Sequence, residues 1–362
     1  MLKCNGKISI RQVFILFLVA VLSPSIRIFP NSCSDAAKTA AWVAPIISSV
    51  SYIVLYLVIN AFFKKRGINN LNDVFKAALG SITGKILLAV YLLWSIFLFW
   101  LYVRYSAERL LASIFPNADM RFFLIAILIV VCIAARGKLE TFMRFAEVAF
   151  LLFVVLVSML YIFLIPDVKL SNIYPVTYYD FLPALKASLR VSGIWGYLLL
   201  PFFFSDNFLN MDQIKKYGKQ SAYFVVTMTV LLLATVVGSL GPSVARRMPL
   251  PFFSAVKLIS VVESLDRFES IILAIWVAAD FILITLFALV IMNIIKHLFS
   301  ISETKYLATP VVSIGYIGSQ FLGANRFELE AISIHFAIYV NLVLMYVVPI
   351  LILFIGKTRK RL

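Results

Sequence analysis

The stretch Ala187–Phe204 is apolar enough to cross a bilayer, yet Ser192, Gly193, Gly196 and Pro201 interrupt it. A glycine in a helix interior costs about 1 kcal/mol against alanine, and a proline about 3. In hydrocarbon an unpaired backbone group adds several kcal/mol, so broken backbone persists only where it lines protein or a water-filled cavity. The spacing therefore predicts an unwound hinge at Ser192–Gly196, with N–H and C=O groups open to a small polar ligand. Transporter folds with such hinges are built from inverted halves, which places a counterpart half a chain earlier. Ser23-Pro24-Ser25, inside the first apolar stretch, stands in that place.

Such a hinge requires a membrane protein, and the composition is that of one. The chain is 62% hydrophobic and 14% charged, against about 45–50% and 25% in soluble proteins. Many windows exceed the roughly 20 apolar residues that a span needs, and the alternation of an outer-membrane barrel is absent. The net charge of +16 does not indicate nucleic acid. Most Lys and Arg gather in short loops and tails on one side of the predicted spans, the positive-inside pattern, and no aromatic-interleaved basic groove accompanies them. Cys4, Cys33 and Cys132 fall in three different compartments, which argues against a disulfide framework.

Ten spans are predicted, at about 9–29, 39–63, 86–114, 122–135, 145–165, 181–204, 221–240, 270–295, 306–322 and 332–355. Leu71, Val74, Phe75 and Ala78 recur at helical spacing and predict a short amphipathic helix between spans 2 and 3. A second is predicted at 253–268 on the outer side. Both termini then lie in the cytoplasm. The loop 166–180 divides the chain into a first half, 1–165, and a second half, 181–356, of opposite orientation, followed by the basic tail 357–362. The expected fold is a single all-α polytopic membrane domain, a 5+5 inverted repeat with helices 1 and 6 broken.

In a broken-helix site an amino acid carboxylate meets N–H groups at a half-helix N-terminus, and its ammonium meets carbonyls at the opposite half-helix end. Ser23, Pro24, Ser25 and Ile26 with Ser192, Gly193, Ile194, Trp195 and Gly196 supply both kinds of group. Trp94 and Leu98 of span 3 are expected to wall the pocket, with Asp280 and Leu283 of span 8 behind. A charge near the middle of a membrane helix marks a pathway or a partner. Asp280 is thus either a proton, cation or ammonium ligand, or a hydrogen-bonded group facing Asn341 or His335. Arg104 and Glu108, four residues apart, form a helical ion pair near the outer end of span 3. Arg190 either attracts an anionic ligand group or snorkels to the outer surface. No zinc-spaced Cys/His cluster, phosphate-binding glycine loop or nucleophile elbow occurs, so neither an enzyme nor a cofactor or metal is expected.

The chain resembles the GerAB-type spore germination proteins, the B subunits of spore germinant receptors. The likeness rests on Lys7-Ile8-Ser9-Ile10-Arg11-Gln12, on Phe29-Pro30 closing span 1, on Arg104-Tyr105-Ser106-Ala107-Glu108, and on Leu265-Asp266-Arg267-Phe268-Glu269-Ser270 followed by Trp276. It covers nearly the whole chain. It implies an offshoot of the amino acid/polyamine/organocation transporters in the spore inner membrane. Such a subunit would bind a small nutrient, often an amino acid, and act with an A-type channel-like subunit and a C-type lipoprotein. Asp266, Arg267 and Glu269 would join Arg104 and Glu108 in gating. Ser23, Pro24 and Ser25 stand where the family usually has glycines, Arg27 holds an ordinarily apolar place, and Tyr197 and Leu198 follow Gly196. Two other expectations compete with nutrient sensing: a proton- or cation-coupled amino acid transporter, and a structural subunit whose pocket has decayed.

Overall fold

The structure, a computed structural model, describes residues 7–64, 68–113, 115, 117–258, 268–323, 325–359 and 361. Helix α1 (Ile10–Ala37) begins at a capping box. The Ser9 hydroxyl accepts from the Arg11 N–H at 3.3 Å, and the Gln12 amide oxygen accepts from the Ser9 N–H at 3.0 Å. A 3₁₀ turn, Lys38–Val43, reverses the chain into α2 (Ala44–Phe62). The amphipathic α3 (Leu71–Leu79) starts at Asn70, which accepts from the Asp73 N–H at 2.9 Å, and stops at Gly80 with φ +94°. Then follow α4 (Ser81–Ser113), α5 (Met120–Arg136), capped by Asp119, and α6 (Leu139–Leu164).

In the second half α7 (Phe181–Trp195) passes directly into a 3₁₀ helix, Gly196–Asn207. Next come α8 (Ile214–Leu240), the short α9 (Pro242–Ala245) and α10 (Pro251–Val256), α11 (Phe268–Phe299) and α12 (Ala308–Phe321). The last span is a rod in which π-helical segments Ile332–Ala337 and Val343–Val347 join α13 (Arg326–Ala331), α14 (Ile338–Leu342) and α15 (Val348–Thr358). Among the described residues seven helical stretches are long and apolar enough to cross a membrane, the first of them, Ile10–Phe62, holding both α1 and α2. The shorter α5 and α12 stand where spans 4 and 9 are predicted.

Helix α1 is buried along most of its length and packs against α6, α7, α8 and α11, while α4 and α11 form another extensive pair. Span 9 is held against α4 by two glycines: a Cβ on Gly315 would overlap the ring of Phe99, and one on Gly318 the indole of Trp100. Overpacking of this kind typically costs about 1–3 kcal/mol. Gly318→Ala is therefore expected to lower the thermal unfolding midpoint of the purified protein, whereas Ala substitution at Gly80, which has open space around it, would act only through its positive φ.

Three expectations change. Span 1 is not broken: α1 continues without interruption through Ser23-Pro24-Ser25 and through the predicted outer turn at Pro30 to Ala37. Pro24 and Pro30 still withhold the N–H groups that the carbonyls of Ala20 and Ile26 would have accepted. Surrounding helices keep the trace helical despite those losses. Span 6 is not unwound at Ser192–Gly196 either. It is α-helical to Trp195 and changes to 3₁₀ at Gly196, leaving helical angles only at Phe204 (φ −120°, ψ 33°). That 3₁₀ stretch is 12 residues long, where runs beyond 3–4 are uncommon, so span 6 is irregular at the predicted place but by a change of helix type. The predicted outer helix 253–268 is represented by Pro251–Val256; 259–267 lie outside the described residues.

At the end of the bundle where α1 begins, β1 (Ile8–Ser9) pairs in parallel with β2 (Phe208–Leu209), Ile8 opposite Phe208 and Ser9 opposite Leu209. This ribbon joins the start of span 1 to the finish of span 6. Helix α3 braces the same end: Asn72 donates to the Phe203 carbonyl at 3.1 Å, and the Ser205 hydroxyl donates to the Asn69 carbonyl at 2.7 Å.

Candidate ligand site

Two polar clusters lie one above the other along α4 and α11. The first joins spans 1, 3 and 8 through Ser23, Arg109 and Asp280, which are 1%, 4% and 3% exposed. Arg109 Nη1 lies 2.9 Å from Asp280 Oδ2, and Nη2 donates to Oδ1 at 3.3 Å and to the Ser23 hydroxyl at 2.9 Å. Ser23 in turn donates to Asp280 Oδ1 at 2.5 Å. The guanidinium also sits 4.8 Å from the ring centre of Trp276. A carboxylate alone in the bundle would cost several kcal/mol; the arginine and the hydroxyl together make it tolerable. Asp280 therefore faces Arg109 and Ser23, not Asn341 or His335. His335 is exposed on span 10, and Asn341 belongs to the second cluster.

That second cluster joins spans 3, 6 and 10. Trp94 Nε1 donates to Asn341 Oδ1 at 2.8 Å, Asn341 Nδ2 donates to Tyr197 Oη at 3.2 Å, and Tyr197 Oη lies 2.9 Å from Tyr102 Oη. The Tyr102 ring stacks on Phe287 of α11 at 5.5 Å. Tyr102 precedes Arg109 by two helical turns, and Phe287 follows Asp280 by two, so the clusters are about 10 Å apart along the bundle. Leu98 and Leu283, both fully buried, belong to the same two helices.

The groups expected to be free around the hinge are taken by the protein itself. The Ser192 carbonyl accepts from Tyr346 Oη at 2.9 Å and also from the Gly196 N–H, and the Ser192 hydroxyl meets that of Ser51 at 2.7 Å. A Cβ on Gly193 would lie 2.9 Å from Ile338 Cγ2, and one on Gly196 2.7 Å from Met345 Cβ. Both glycines thus turn toward span 10, at or beside its π-helical segments, where irregular helix geometry on the two sides is matched. Ile194 and Trp195 are fully buried, and the Trp195 ring meets Tyr52 edge-on at 5.9 Å. In α1 the Ser25 hydroxyl donates back to the Val21 carbonyl at 2.6 Å. Ile26 packs with Leu160, Phe252 and Trp276 in a separate apolar cluster.

Toward the opposite end, Arg104 and Glu108 form the expected ion pair at 3.3 Å, and Arg104 also reaches the Gly323 carbonyl at 3.3 Å. Arg190 does not point at the hinge; it ties span 6 to the Ser32 carbonyl and, at 3.4 Å, to Asp35. Arg27 lies flat on Tyr105, 3.0 Å from the ring centre, and is only 6% exposed. Asp266 and Arg267 lie outside the described residues, as does the side chain of Glu269. No group of three or more His, Cys, Asp or Glu suited to a metal occurs among the described residues.

Residues 7–327 match the family described as "Spore germination protein". The chain belongs to that family. Two Bacillus subtilis (strain 168) relatives align over most of their length: putative spore germination protein YfkT, 24% identical over 93% of both chains, and spore germination protein KB, 21% identical over 85% of this chain and 83% of that one. Among solved structures the fold is shared with MhsT in complex with L-phenylalanine (TM-score 0.69, 11% identity, 92% of this chain and 87% of that one). It is shared equally with Mhp1, a nucleobase-cation-symport-1 transporter in a closed conformation with bromovinylhydantoin bound (TM-score 0.70, 10% identity, 97% and 80%). This germination protein thus shares the helical fold of the transporters MhsT and Mhp1.

The sequence reading passed over Arg109 and Tyr102 as site residues. Span 3 as predicted already contained Arg109, and a mid-membrane Asp280 calls for a cation of that kind. Nothing local signals Tyr102, because its role depends on partners in spans 6 and 8.

Proposed function

We propose that this chain is the nutrient-sensing subunit of a spore germinant receptor in the spore inner membrane, with both termini in the cytoplasm. A small germinant, such as an amino acid, binds between span 1 (Ser23–Ile26) and span 6 (Ser192–Gly196). Trp94, Leu98, Asp280 and Leu283 form the walls. Binding then biases partner subunits of the A and C types. In this reading the halves 1–165 and 181–356 are inverted repeats, and Arg104 and Glu108, with Asp266, Arg267 and Glu269, guard the outer entrance. The observation that carries it is membership of the germination family together with polar clusters joining spans 1, 3, 6, 8 and 10. The L-phenylalanine complex of MhsT favours an amino acid as the guest.

Because the hinge carbonyl at Ser192 is already bonded to Tyr346, the ligand competes with the protein's own side chains, and the adaptable element is the Tyr102–Tyr197–Asn341 chain. Tyr197→Phe keeps the ring and removes the hydroxyl at the centre of that chain. Spores carrying it are expected to hold normal amounts of the subunit yet to need roughly tenfold more nutrient for half-maximal germination. An unchanged dose response with normal accumulation would overturn this role for Tyr197. The rival reading, a proton- or cation-coupled amino acid transporter, draws on the same fold likeness. It is weakened by Asp280, whose charge is already met by Arg109 at 2.9 Å. Uptake of labelled amino acids by vesicles containing this chain alone would favour the rival.

A further inference from the structure

Among the described residues, three charged side chains are fully buried: Arg27, Arg109 and Asp280. Arg109 takes Asp280. Nearby, Glu330 takes Arg326 at 3.3 Å. Among the described residues no carboxylate lies within ion-pair distance of Arg27, and its Nε and Nη2 are buried without a hydrogen-bond partner there. Among the described residues these three arginines and two carboxylates leave one positive charge in excess, on Arg27.

The two unpartnered atoms are not an arbitrary pair. Nε and Nη2 form one parallel-donor edge of the guanidinium, the fork that accepts a carboxylate through two hydrogen bonds at once. The plane of that fork is fixed by stacking on Tyr105, whose own hydroxyl is committed to the Leu329 carbonyl at 2.9 Å. Beside Arg27 lies a cavity of about 10 Å³ lined also by Ile28, Asn31, Tyr105, Glu330 and Ile334. That volume admits at most about one water, so the structure is closed around the fork. Arg27 stands one helical turn beyond Ser23, next to the candidate site and on its Arg104–Glu108 side.

We infer that the Nε/Nη2 edge of Arg27 is the receptor for a carboxylate group on the ligand, filled when the start of span 10 (Glu330, Ile334) moves aside. This rests on the reading of the chain as a sensor of a small ligand and narrows it to ligands bearing a free carboxylate. The anion is recognised by a side chain of span 1, and the α1 backbone, which is continuous here, is not needed for it.

The test uses the full-length protein purified in detergent, with thermal unfolding as the readout. The probes are the common amino acids, the carboxamide of each, and a set of uncharged nucleosides and sugars. At least one free acid is expected to raise the midpoint while its carboxamide does not, and its apparent affinity is expected to fall at least about tenfold in both Arg27→Gln and Arg27→Lys. The lysine variant keeps the charge and loses the fork. If Arg27→Gln does not fold, the acid–carboxamide comparison on the unaltered protein decides alone. Acid and carboxamide acting alike, or an undiminished response in a folded Arg27→Gln, overturns the inference. Binding confined to nucleosides or sugars also overturns it but leaves the sensor reading standing. If no probe of any kind binds, both fall together.

Discussion

Replacing Asp280 by alanine is expected to destabilise the bundle by about 3–5 kcal/mol, because it strands a buried guanidinium. Arg109 is 4% exposed and draws both its charge partner and, through Ser23, part of its hydrogen bonding from that one carboxylate. Arg109→Ala should cost a similar amount by stranding the carboxylate. The double variant Arg109→Met with Asp280→Leu should recover most of the loss, since apolar replacement of a whole buried pair is often neutral or better. Unfolding in detergent of the unaltered protein, Arg109→Met, Asp280→Leu and the variant carrying both forms a double-mutant cycle. A double variant as unstable as the sum of the singles would show that the two side chains act independently, and would remove the account given for Asp280. Germination separates stability from function: a stable double variant that no longer responds would place the pair in signalling as well as in packing.

The second large effect is expected at Gly196. A Cβ there would lie 2.7 Å from Met345 Cβ and 3.1 Å from the Tyr346 ring, and overpacking of a filled core costs about 1–3 kcal/mol, occasionally more. Gly196→Leu should fall at or above the upper end and reduce accumulation of the protein in the membrane. Gly196→Ala should be milder, and Met345→Ala in the same chain should restore part of its loss by opening the space the new methyl needs. Normal accumulation of Gly196→Leu with loss of the nutrient response alone would show that Gly196 serves the proposed ligand pocket and would discard the packing role.

These two sites show where sequence reasoning reached and where it stopped. Class and span positions were legible because apolar length and loop charge are local properties. The irregularity of span 6 was legible too, since Gly196 and Pro201 lower helix stability wherever they stand. Its form was not: whether a weak helix unwinds or tightens to 3₁₀ depends on what fills the space, here the Tyr346 hydroxyl and the Met345 side chain. Pro24 misled for the same reason, because the helices packed around α1 kept it helical through that position. The partner of Asp280 lies 171 residues away, a distance over which spacing carries no information. The faces of Gly193 and Gly196 followed from the register of span 10, which two π-helical segments reset.

The parallel ribbon of Ile8–Ser9 with Phe208–Leu209 has a mechanical corollary. It is a stitch between the first residues of one rod and the last of another. Any swing that pulls those two rods apart at that end must rip it, whereas a swing that spares it has to carry both as a single lever. Ile8 is wholly enclosed, so opening that seam would also bring an apolar side chain out of the core.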